Sequence, residues 1–360
     1  MGLIKAVACI LVGFGYCIFG CKPIASQEME IRGIYGNPKP FWDQGIVLGD
    51  LGVNAIFVHS NAINSKMVSR AKEEGVKIFA EFATLNGKNY VEEHPEAWAI
   101  DKTGEPVEAA SWFMGVCPTE PGFRAYRFNQ LRELLQNFEL DGVWMDYVHW
   151  HAQFEEASPI LPETCFDHNC LKKYSDDTGI AIPNGTTAEK ARWILQNHED
   201  SWRSWRSRVI VEWVMEIRAI VEELRPGILL GLYHCPWTDD EFKEARRNIL
   251  GLDYDLLAQV IDVFSPMVYH GRMERPPSWV EENIAWFSKR MNVIRTDQQI
   301  RIWPIVQAHN DPYVISGEEF ETVLRAGLSG KSSGVMMFTS YAVAEDKEKI
   351  KVMKEVYQGR

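Results

Sequence analysis

Short apolar runs and longer amphipathic stretches alternate along the chain from about residue 30 to its end. Each apolar run is rich in β-branched or aromatic residues, ends at a polar or aromatic residue, and is followed by a helical pattern. The runs predict eight strands, at residues 31–35, 55–59, 77–82, 142–147, 228–234, 263–270, 300–307 and 334–339. Strands that alternate with helices form parallel sheets, so we predict an α/β protein with a (β/α)8 TIM barrel.

A doubly wound sheet is the main alternative fold. Such a sheet normally carries a glycine-rich turn after its first strand, whereas Gly36-Asn37-Pro38 follows the first strand here. The sequence contains no internal repeat, linker or low-complexity tract, so we assign residues 30–360 to a single domain. Its longest insertion, at about 149–200, follows the fourth strand.

The N-terminal residues 1–20 have the pattern of an export signal. Lys5 precedes an uncharged apolar stretch that is shorter than the ~20 residues of a comfortable membrane span. The residues before Cys21 resemble the lipobox of bacterial lipoproteins. We therefore predict cleavage before Cys21, lipidation of its thiol, a tether at 21–29, and an exported protein anchored to a bacterial membrane, facing the periplasm or the cell surface. The alternatives are an ordinary secretory signal that is cut near Ala25 and an uncleaved anchor.

Charge and aromatic content narrow the classes of ligand. The net charge is -12 and no run of Lys or Arg offers a surface for phosphates, so nucleic acid is not expected as a partner. The chain has 13 Trp, and aromatic residues make up 12% of it. This composition favours a neutral ligand that stacks on rings, with carbohydrate as the leading candidate. None of these features indicates the oligomeric state.

Two carboxylates at predicted strand ends are the candidate catalytic residues. In a (β/α)8 barrel, catalytic side chains lie where the strands meet the loops that follow them. Asp146 ends the fourth strand and Glu81 ends the third, each after an apolar run. A buried charge at such a position needs a partner or a function. The structural alternatives are that Asp146 caps its loop or pairs with Arg32, and that Glu81 forms a salt bridge inside the barrel mouth.

Glycoside cleavage uses two carboxyl groups, of which one donates a proton to the leaving oxygen and the other attacks the sugar or activates water. Asp146 and Glu81 lie on adjacent predicted strands, so they can form such a pair. Acidic residues on later loops are rivals for the second role. These are Asp239, Asp240, Glu274 and Asp311.

Other polar and aromatic residues at the strand ends are candidate substrate-binding residues. Five of the nine histidines fall at or just after a predicted strand end, which indicates one polar site. The candidates are His59, Trp144, Tyr147, His149, Tyr233, His234, Trp237, Tyr269, His270, Gln307 and His309. Trp112 and Trp150 are further candidates for stacking on sugars, whereas the Trp residues on predicted helices are expected to pack the core.

Cysteine segments flank the fourth predicted strand. Cys117-Pro118 precedes the strand, and a segment from Cys165 to Cys170 follows it. This arrangement resembles glycoside hydrolase family 42 β-galactosidases and the related glycosyl-hydrolase-like (β/α)8 barrel family of bacterial lipoproteins. LDGVWMDY, VFSPMVYH and GVMMFTSY are also similar to strand motifs of those barrels. The resemblance implies a glycosidase-like barrel in which the cysteine segments supply zinc ligands.

The chain departs from that family at two positions. Asp167 replaces the middle cysteine of the second segment, and Met145-Asp146 stands where family 42 enzymes end strand four with Asn-Glu. The family 42 mechanism therefore cannot be transferred. A strand-four aspartate is instead similar to the nucleophile of amylase-like and α-galactosidase-like barrels.

The cysteines can also be interpreted from their chemistry alone. Zinc binds about four S, N or O ligands in a tetrahedron. Cys117, Cys165 and Cys170 offer three thiolates, and Asp167 or His168 can complete the set as a structural site. The alternatives are a Cys165–Cys170 disulfide, which export permits, and free buried thiols. No cofactor is expected to be required for catalysis.

Three functions follow from these features. The first is a lipid-anchored glycoside hydrolase that acts on an oligo- or polysaccharide by carboxylate acid/base chemistry. The second is a non-catalytic glycan-binding lipoprotein on a degenerate barrel. The third is a barrel metallohydrolase that uses the strand-end histidines.

Overall fold

A computed structural model describes residues 29–109, 113–294 and 300–360. Its strands are β1 (Ile31–Tyr35), β2 (Ala55–His59), β3 (Lys77–Ala83), β4 (Gly142–Asp146), β5 (Leu229–His234), β6 (Val263–Val268), β7 (Arg301–Ile302), β8 (Ile305–Gln307) and β9 (Gly334–Phe338). All eight predicted strands are present, and their first and last residues differ from the prediction by at most two residues.

The strands close into a barrel. Each strand is parallel to its neighbours, β5 pairs with both β4 and β6, and β1 pairs with both β2 and β9. The short segments β7 and β8 both pair with β6 and together form the seventh barrel strand. They are separated at Trp303-Pro304, because Pro304 has no N–H to donate to the ladder. The predicted (β/α)8 barrel is thereby confirmed.

Helices surround the barrel, and short helices also lie within the segments that connect the strands. They are α1 (Lys39–Asp43), α2 (Ser65–Glu73), α3 (Lys88–Glu93), α4 (Pro121–Asn137), α5 (His168–Thr178), α6 (Thr187–Asn197), α7 (Glu199–Leu224), α8 (Ala245–Asn248), α9 (Tyr254–Leu257), α10 (Ser278–Ile294), α11 (Gly317–Ala326), α12 (Ser340–Ala344) and α13 (Lys347–Tyr357). Short 3-10 helices occupy Leu48–Leu51, Ser60–Ala62 and Pro95–Ala97. Helix α4 begins at Pro121 because Glu120 caps it and proline is suited to the first turn of a helix.

Large aromatic rings fill the barrel interior. Trp144 stacks on Trp303 with ring centroids 5.3 Å apart, and Phe57 stacks on Phe79 at 4.7 Å. The Trp144 indole donates to Ser265 Oγ at 2.9 Å and is fully buried. Side chains alternate along a strand, so the inward positions above these rings form the mouth of the barrel.

The long insertion after β4 packs on α7. Phe166 stacks on Trp202 at 4.9 Å, and Tyr174 contacts the rings of both Trp202 and Trp205. These tryptophans are buried, as expected for residues of the helical layer. The insertion is therefore an ordered part of the wall beside the mouth.

No helix among the described residues is long and apolar enough to cross a membrane. The predicted signal peptide and the lipidation site at Cys21 lie outside the described residues. The lipid anchor therefore stays a prediction.

Candidate active site

The two predicted carboxylates lie on neighbouring inward positions of the barrel mouth. The β3–β4 register places Glu81 opposite Trp144, and Ala83 opposite Asp146. Asp146 is therefore one inward position nearer to solvent than Glu81. Glu81 is only 1% exposed, whereas Asp146 is partly exposed.

Glu81 is paired with a histidine at the mouth. Its Oε2 contacts His59 Nδ1, and this hydrogen bond raises the pKa of His59. The imidazole is 54% exposed, and its Nε2 lies 3.4 Å from the Tyr35 hydroxyl. The other carboxylate oxygen of Glu81 is buried and has no hydrogen-bond partner among the described residues. The salt bridge that the sequence analysis gave as the structural alternative for Glu81 is thus present. Its Oε1 is still without a hydrogen-bond partner among the described residues.

Asp146 lies in surroundings that favour its protonated form. Burial raises the pKa of its carboxyl well above the usual range, and the negative charges of Glu81 and Glu155 raise it further. The backbone N–H of Tyr147 donates to Asp146 Oδ1 at 2.8 Å and opposes the shift. Arg32 is not its partner, because its guanidinium donates to the carbonyls of Gly52 and Met29. The carboxyl of Asp146 therefore keeps its proton to a higher pH than an exposed aspartate does.

Buried tyrosines surround the two carboxylates. Tyr35 and Tyr233 lie with ring centroids 5.8 Å apart. Burial raises the pKa of both hydroxyls well above the usual range, and the charges of Glu81 and Asp146 add to this effect. The pKa of the Tyr269 hydroxyl is raised in the same way, first by burial and then by the charges of Glu155 and Asp146. These phenols stay neutral and can act as hydrogen-bond donors.

Two site residues were missed by the sequence analysis. Arg272 Nη1 lies 3.0 Å from Glu155 Oε2, and Arg272 also approaches Glu156 Oε1 at 3.6 Å. Burial raises the pKa of Glu155, although Arg272 opposes this shift. Both Glu155 and Arg272 come from loops after β4 and β6, so no strand-end pattern marks them. The only sequence signal is the acidic pair itself, inside the long insertion.

His309 and Tyr147 complete the set at the mouth. The His309 ring lies edge-on to Tyr269 at 5.9 Å, and neither ring nitrogen has a hydrogen-bond partner among the residues described. Burial, together with Arg272, lowers the pKa of His309 to about 4. Tyr147 is partly exposed, has a positive φ of 54°, and stacks on Phe113 at 5.0 Å. Both side chains remain candidates for contact with a ligand.

His234 does not face the mouth. Tyr233 points into the barrel, and the next side chain on a strand must point to the opposite face. His234 is accordingly buried between the barrel and its helices, against the rings of Tyr254, Phe264 and Phe287. Burial lowers its pKa to about 3. The prediction that His234 binds substrate is corrected on this geometry.

His270 and Gln307 connect loops. His270 is fully buried and its Nε2 lies 2.8 Å from Glu319 Oε1. Gln307 Oε1 accepts from the backbone N–H groups of Gly271 and Arg272, and its Nε2 donates to the Asp311 carbonyl at 2.8 Å. Gln307 is therefore saturated by backbone groups and positions the loops instead of facing a ligand.

The predicted tryptophan platforms are buried. Trp144 fills the barrel interior, Trp150 donates to the Arg206 carbonyl, and Trp237 is 2% exposed beside Phe242. Trp112 lies outside the described residues. The described tryptophans near the mouth thus pack the structure, and the composition argument for sugar stacking does not apply to them.

His149 and three of the four rival acids, Asp239, Asp240 and Asp311, also have structural partners. His149 is buried, with its Nδ1 2.7 Å from the Trp150 carbonyl oxygen. Asp239 is paired with Arg246 and Arg290. Of the other rival acids, Asp240 accepts a hydrogen bond from Thr238 Oγ1, and Asp311 lies 3.8 Å from the Arg272 guanidinium with 70% of its side chain exposed. The backbone of Glu274 has a positive φ of 49°.

The cysteine segments meet as predicted. The ligand atoms of Cys117, Cys165, Asp167 and Cys170 all lie within 4.8 Å of one another, and the three cysteines are buried. Tetrahedral zinc with Zn–S bonds of about 2.3 Å needs thiolates about 3.8 Å apart, so this donor set fits the ion. Cys165 and Cys170 are free thiols, and the exposed His168 lies outside the group. Asp167 also caps α5 by accepting from the Cys170 N–H at 2.7 Å.

The fold is that of known glycoside hydrolases. The chain resembles the glycoside hydrolase domain of PgaB (BpsB) from Bordetella bronchiseptica with a TM-score of 0.68 and 12% identity, over 91% of this chain and 98% of that chain. For the catalytic domain of β-amylase from Paenibacillus polymyxa the TM-score is 0.61 at 11% identity, with coverage of 90% and 96%. For a catalytic mutant of Gan42B, a GH42 β-galactosidase from G. stearothermophilus, the TM-score is 0.63 at 13% identity, over 93% of this chain and 57% of that chain. The resemblance to family 42 therefore holds at the level of the fold. No protein-family model matches the chain, and no curated protein matches it.

Proposed function

We propose that this protein is a glycoside hydrolase that cleaves O-glycosyl bonds of an oligo- or polysaccharide. The observation that carries the proposal is the pair of carboxyl groups at the mouth, which have opposite surroundings. Burial and neighbouring charge favour protonated Asp146, whereas His59 offers a positive partner to Glu81. A carboxyl group that is held protonated, beside a second carboxyl group that can bond to carbon or take a proton, is what acid/base cleavage of a glycoside requires.

The proposed chemistry assigns one role to each group. Asp146 gives its proton to the glycosidic oxygen as the bond from that oxygen to the anomeric carbon breaks. Glu81 either bonds to the anomeric carbon, after which water displaces Glu81 from that carbon and returns a proton to Asp146, or takes a proton from the water that itself bonds to the anomeric carbon. Burial and Glu81 raise the pKa of Asp146, and Glu155, which is held by Arg272, raises it further. Tyr147 and the buried tyrosines bind the sugar by stacking and by donating hydrogen bonds.

The replacement Asp146→Asn tests the proposal. Its side chain keeps the shape of aspartate but has no acidic proton to donate, so release of reducing sugar should fall by about 100-fold or more. Asp176→Asn is the matched control, because that aspartate is 61% exposed on α5. Both variants should keep the far-UV circular dichroism of the wild type. Unchanged sugar release by Asp146→Asn would remove the basis of the assignment.

A non-catalytic glycan-binding protein is the second candidate. The observation that favours it is the burial of Glu81, which is 1% exposed and engaged by His59. Glycan binding by the wild type without sugar release from any substrate would support this function over hydrolysis. A metallohydrolase has no comparable support, because His234 lies outside the barrel wall and His270 pairs with Glu319.

A structural zinc ion is proposed at Cys117, Cys165, Asp167 and Cys170. When bound, the ion would hold the segment before α4 to the insertion after β4. Metal analysis of the purified protein should give about one zinc per chain. Cys165→Ser should reduce this content, whereas Cys235→Ser, at a buried free cysteine outside the cluster, should not. Equal zinc contents in the two variants would contradict the site.

Export and lipid anchoring through Cys21 complete the proposal and rest on the sequence. Cys21→Ser removes the thiol that would carry the lipid. The variant should therefore leave the membrane fraction, while the wild type stays in it. Equal partitioning of both proteins would contradict the lipid anchor.

A further inference from the structure

A polar groove leaves the barrel mouth between the segment that follows β2, at residues 59–63, and α4. The groove has a volume of about 640 Å³. It passes over the end of β2, where His59 lines it, and over β3, where Glu81 lines it. Its outer wall is α4, from Tyr126 to Asn137. Eleven residue steps of α-helix correspond to about 16 Å, so the groove is much longer than a pocket for one sugar ring.

The lining of the groove is polar and nearly balanced in charge. Amide side chains from three elements line it, among them Asn61, Asn89 and Gln130. Two basic residues are matched by two acidic ones, namely Lys88 and Arg127 by Glu81 and Glu133. Amides both donate and accept hydrogen bonds, which suits hydroxyl groups.

Arg127 does not make the groove an anion site. Its guanidinium donates to the carbonyls of Ala83, Thr84 and Asn86 and to Gln130 Oε1. These bonds hold the loop after β3 to α4 and occupy four of the five N–H donors, so the paired donors that a bidentate phosphate or carboxylate would need are already engaged. With Arg127 engaged in this way, and with Lys88 opposed by Glu81 and Glu133, the groove favours a neutral ligand over an anion.

Two tyrosine rings offer a platform along this groove. Tyr90 and Tyr126 lie with ring centroids 5.2 Å apart, and Tyr126 is 39% exposed. Tyr90 is held from behind by His94, which stacks on it at 4.2 Å. An exposed ring beside a partly buried one, next to amide groups, suits the apolar faces and hydroxyl edges of sugar rings.

The groove also opens onto a proposed catalytic group. Glu81 is 1% exposed, and its buried Oε1 has no partner among the described residues. We propose that the groove binds the continuation of a neutral oligosaccharide whose scissile bond lies at Asp146 and Glu81. This inference rests on the proposed function and adds that the substrate is a chain of several units. The tyrosines bind it away from the reacting atoms.

Chain-length dependence of binding tests the inference. The probes are oligosaccharides of glucose, galactose, mannose, xylose and N-acetylglucosamine with two and six units, titrated by calorimetry into the full chain carrying Asp146→Asn. At least one six-unit probe should bind more tightly than its two-unit counterpart. Adding Tyr126→Ala should weaken six-unit binding roughly two- to tenfold, the loss of one aromatic contact. Tyr341→Ala, at a tyrosine that is 51% exposed and does not line the groove, is the matched control and should not weaken it.

The outcomes separate this inference from the proposed hydrolysis. Equal affinity for two- and six-unit probes across the panel, or equal effects of Tyr126→Ala and Tyr341→Ala, would overturn the groove proposal, even if the wild type released sugar. Six-unit binding that depends on Tyr126, without sugar release by the wild type, would support the groove and overturn the hydrolase assignment.

Discussion

Gly231 of β5 lies against Trp144 of β4, and this contact makes the barrel interior sensitive to a single methyl group. A Cβ at position 231 would lie 2.2 Å from Cε2 and 2.4 Å from Cζ2 of the Trp144 ring. The indole is fixed, because it stacks on Trp303 at 5.3 Å and donates to Ser265. Relief therefore requires the ring to leave its favoured position or the strands to separate. We expect Gly231→Ala to lower the free energy of unfolding by about 1–3 kcal/mol.

Urea unfolding followed by far-UV circular dichroism measures this loss. Gly49→Ala is the matched control, because the nearest atom to its added Cβ is the Glu74 carbonyl oxygen at 3.9 Å. Its free energy of unfolding should stay within about 0.5 kcal/mol of the wild type.

A double-mutant cycle isolates the contact. Trp144→Val removes the ring atoms that the new methyl group would meet and should itself cost about 3–5 kcal/mol. In that background Gly231→Ala should cost about 1–3 kcal/mol less than in the wild type. An equal cost in both backgrounds would show that the Trp144 ring does not fill the space beside β5.

Two further predictions concern titrating groups. Glu155→Gln removes a negative charge that raises the pKa of Asp146, so the basic limb of the kcat/KM pH profile should move to lower pH. Glu156→Gln, at the more exposed neighbour, is the control and should leave that limb in place. An unchanged basic limb in Glu155→Gln would contradict the role of Asp146 as the acid. His234 is neutral in the folded state because burial lowers its pKa to about 3. In the unfolded chain the same side chain takes up a proton near pH 6.5. Its contribution to stability is therefore complete above about pH 6.5 and is lost as the pH falls towards 3. At pH 5 the loss should be about 2 kcal/mol, and the free energy of unfolding of His234→Phe should change less between pH 7 and pH 5; equal changes would contradict the buried neutral state.

Much of the fold could be predicted from the sequence because its signals are local. Each apolar run, such as 55–59 or 142–146, carries its strand propensity within five residues and is bounded by polar residues or glycine. The seventh strand was predicted as continuous at 300–307, because Pro304 affects pairing with a neighbour that is remote in sequence. The resemblance to family 42 drew attention to the cysteine segments, and the fold brings Cys117, Cys165 and Cys170 together.

The candidate site could be predicted only in part. A strand end is visible in the sequence, but the face to which a side chain points depends on the register, and this separates Tyr233 from His234. Glu155 and Arg272 are 117 residues apart and meet only when two loops fold over the mouth. The abundance of Trp indicated sugar binding, but indoles such as Trp144 supply packing volume inside a barrel.

The sequence by itself determined the order and type of the barrel strands and brought Asp146 and Glu81 to the ends of adjacent ones, because alternation and burial of apolar runs are local properties. The tertiary structure decided the rest. Closure of the barrel placed Trp144 below the mouth and His234 outside the wall. It also paired Glu81 with His59 and opened the groove along α4. Those relations depend on contacts between segments far apart in the chain, for which the residues themselves carry no local signal.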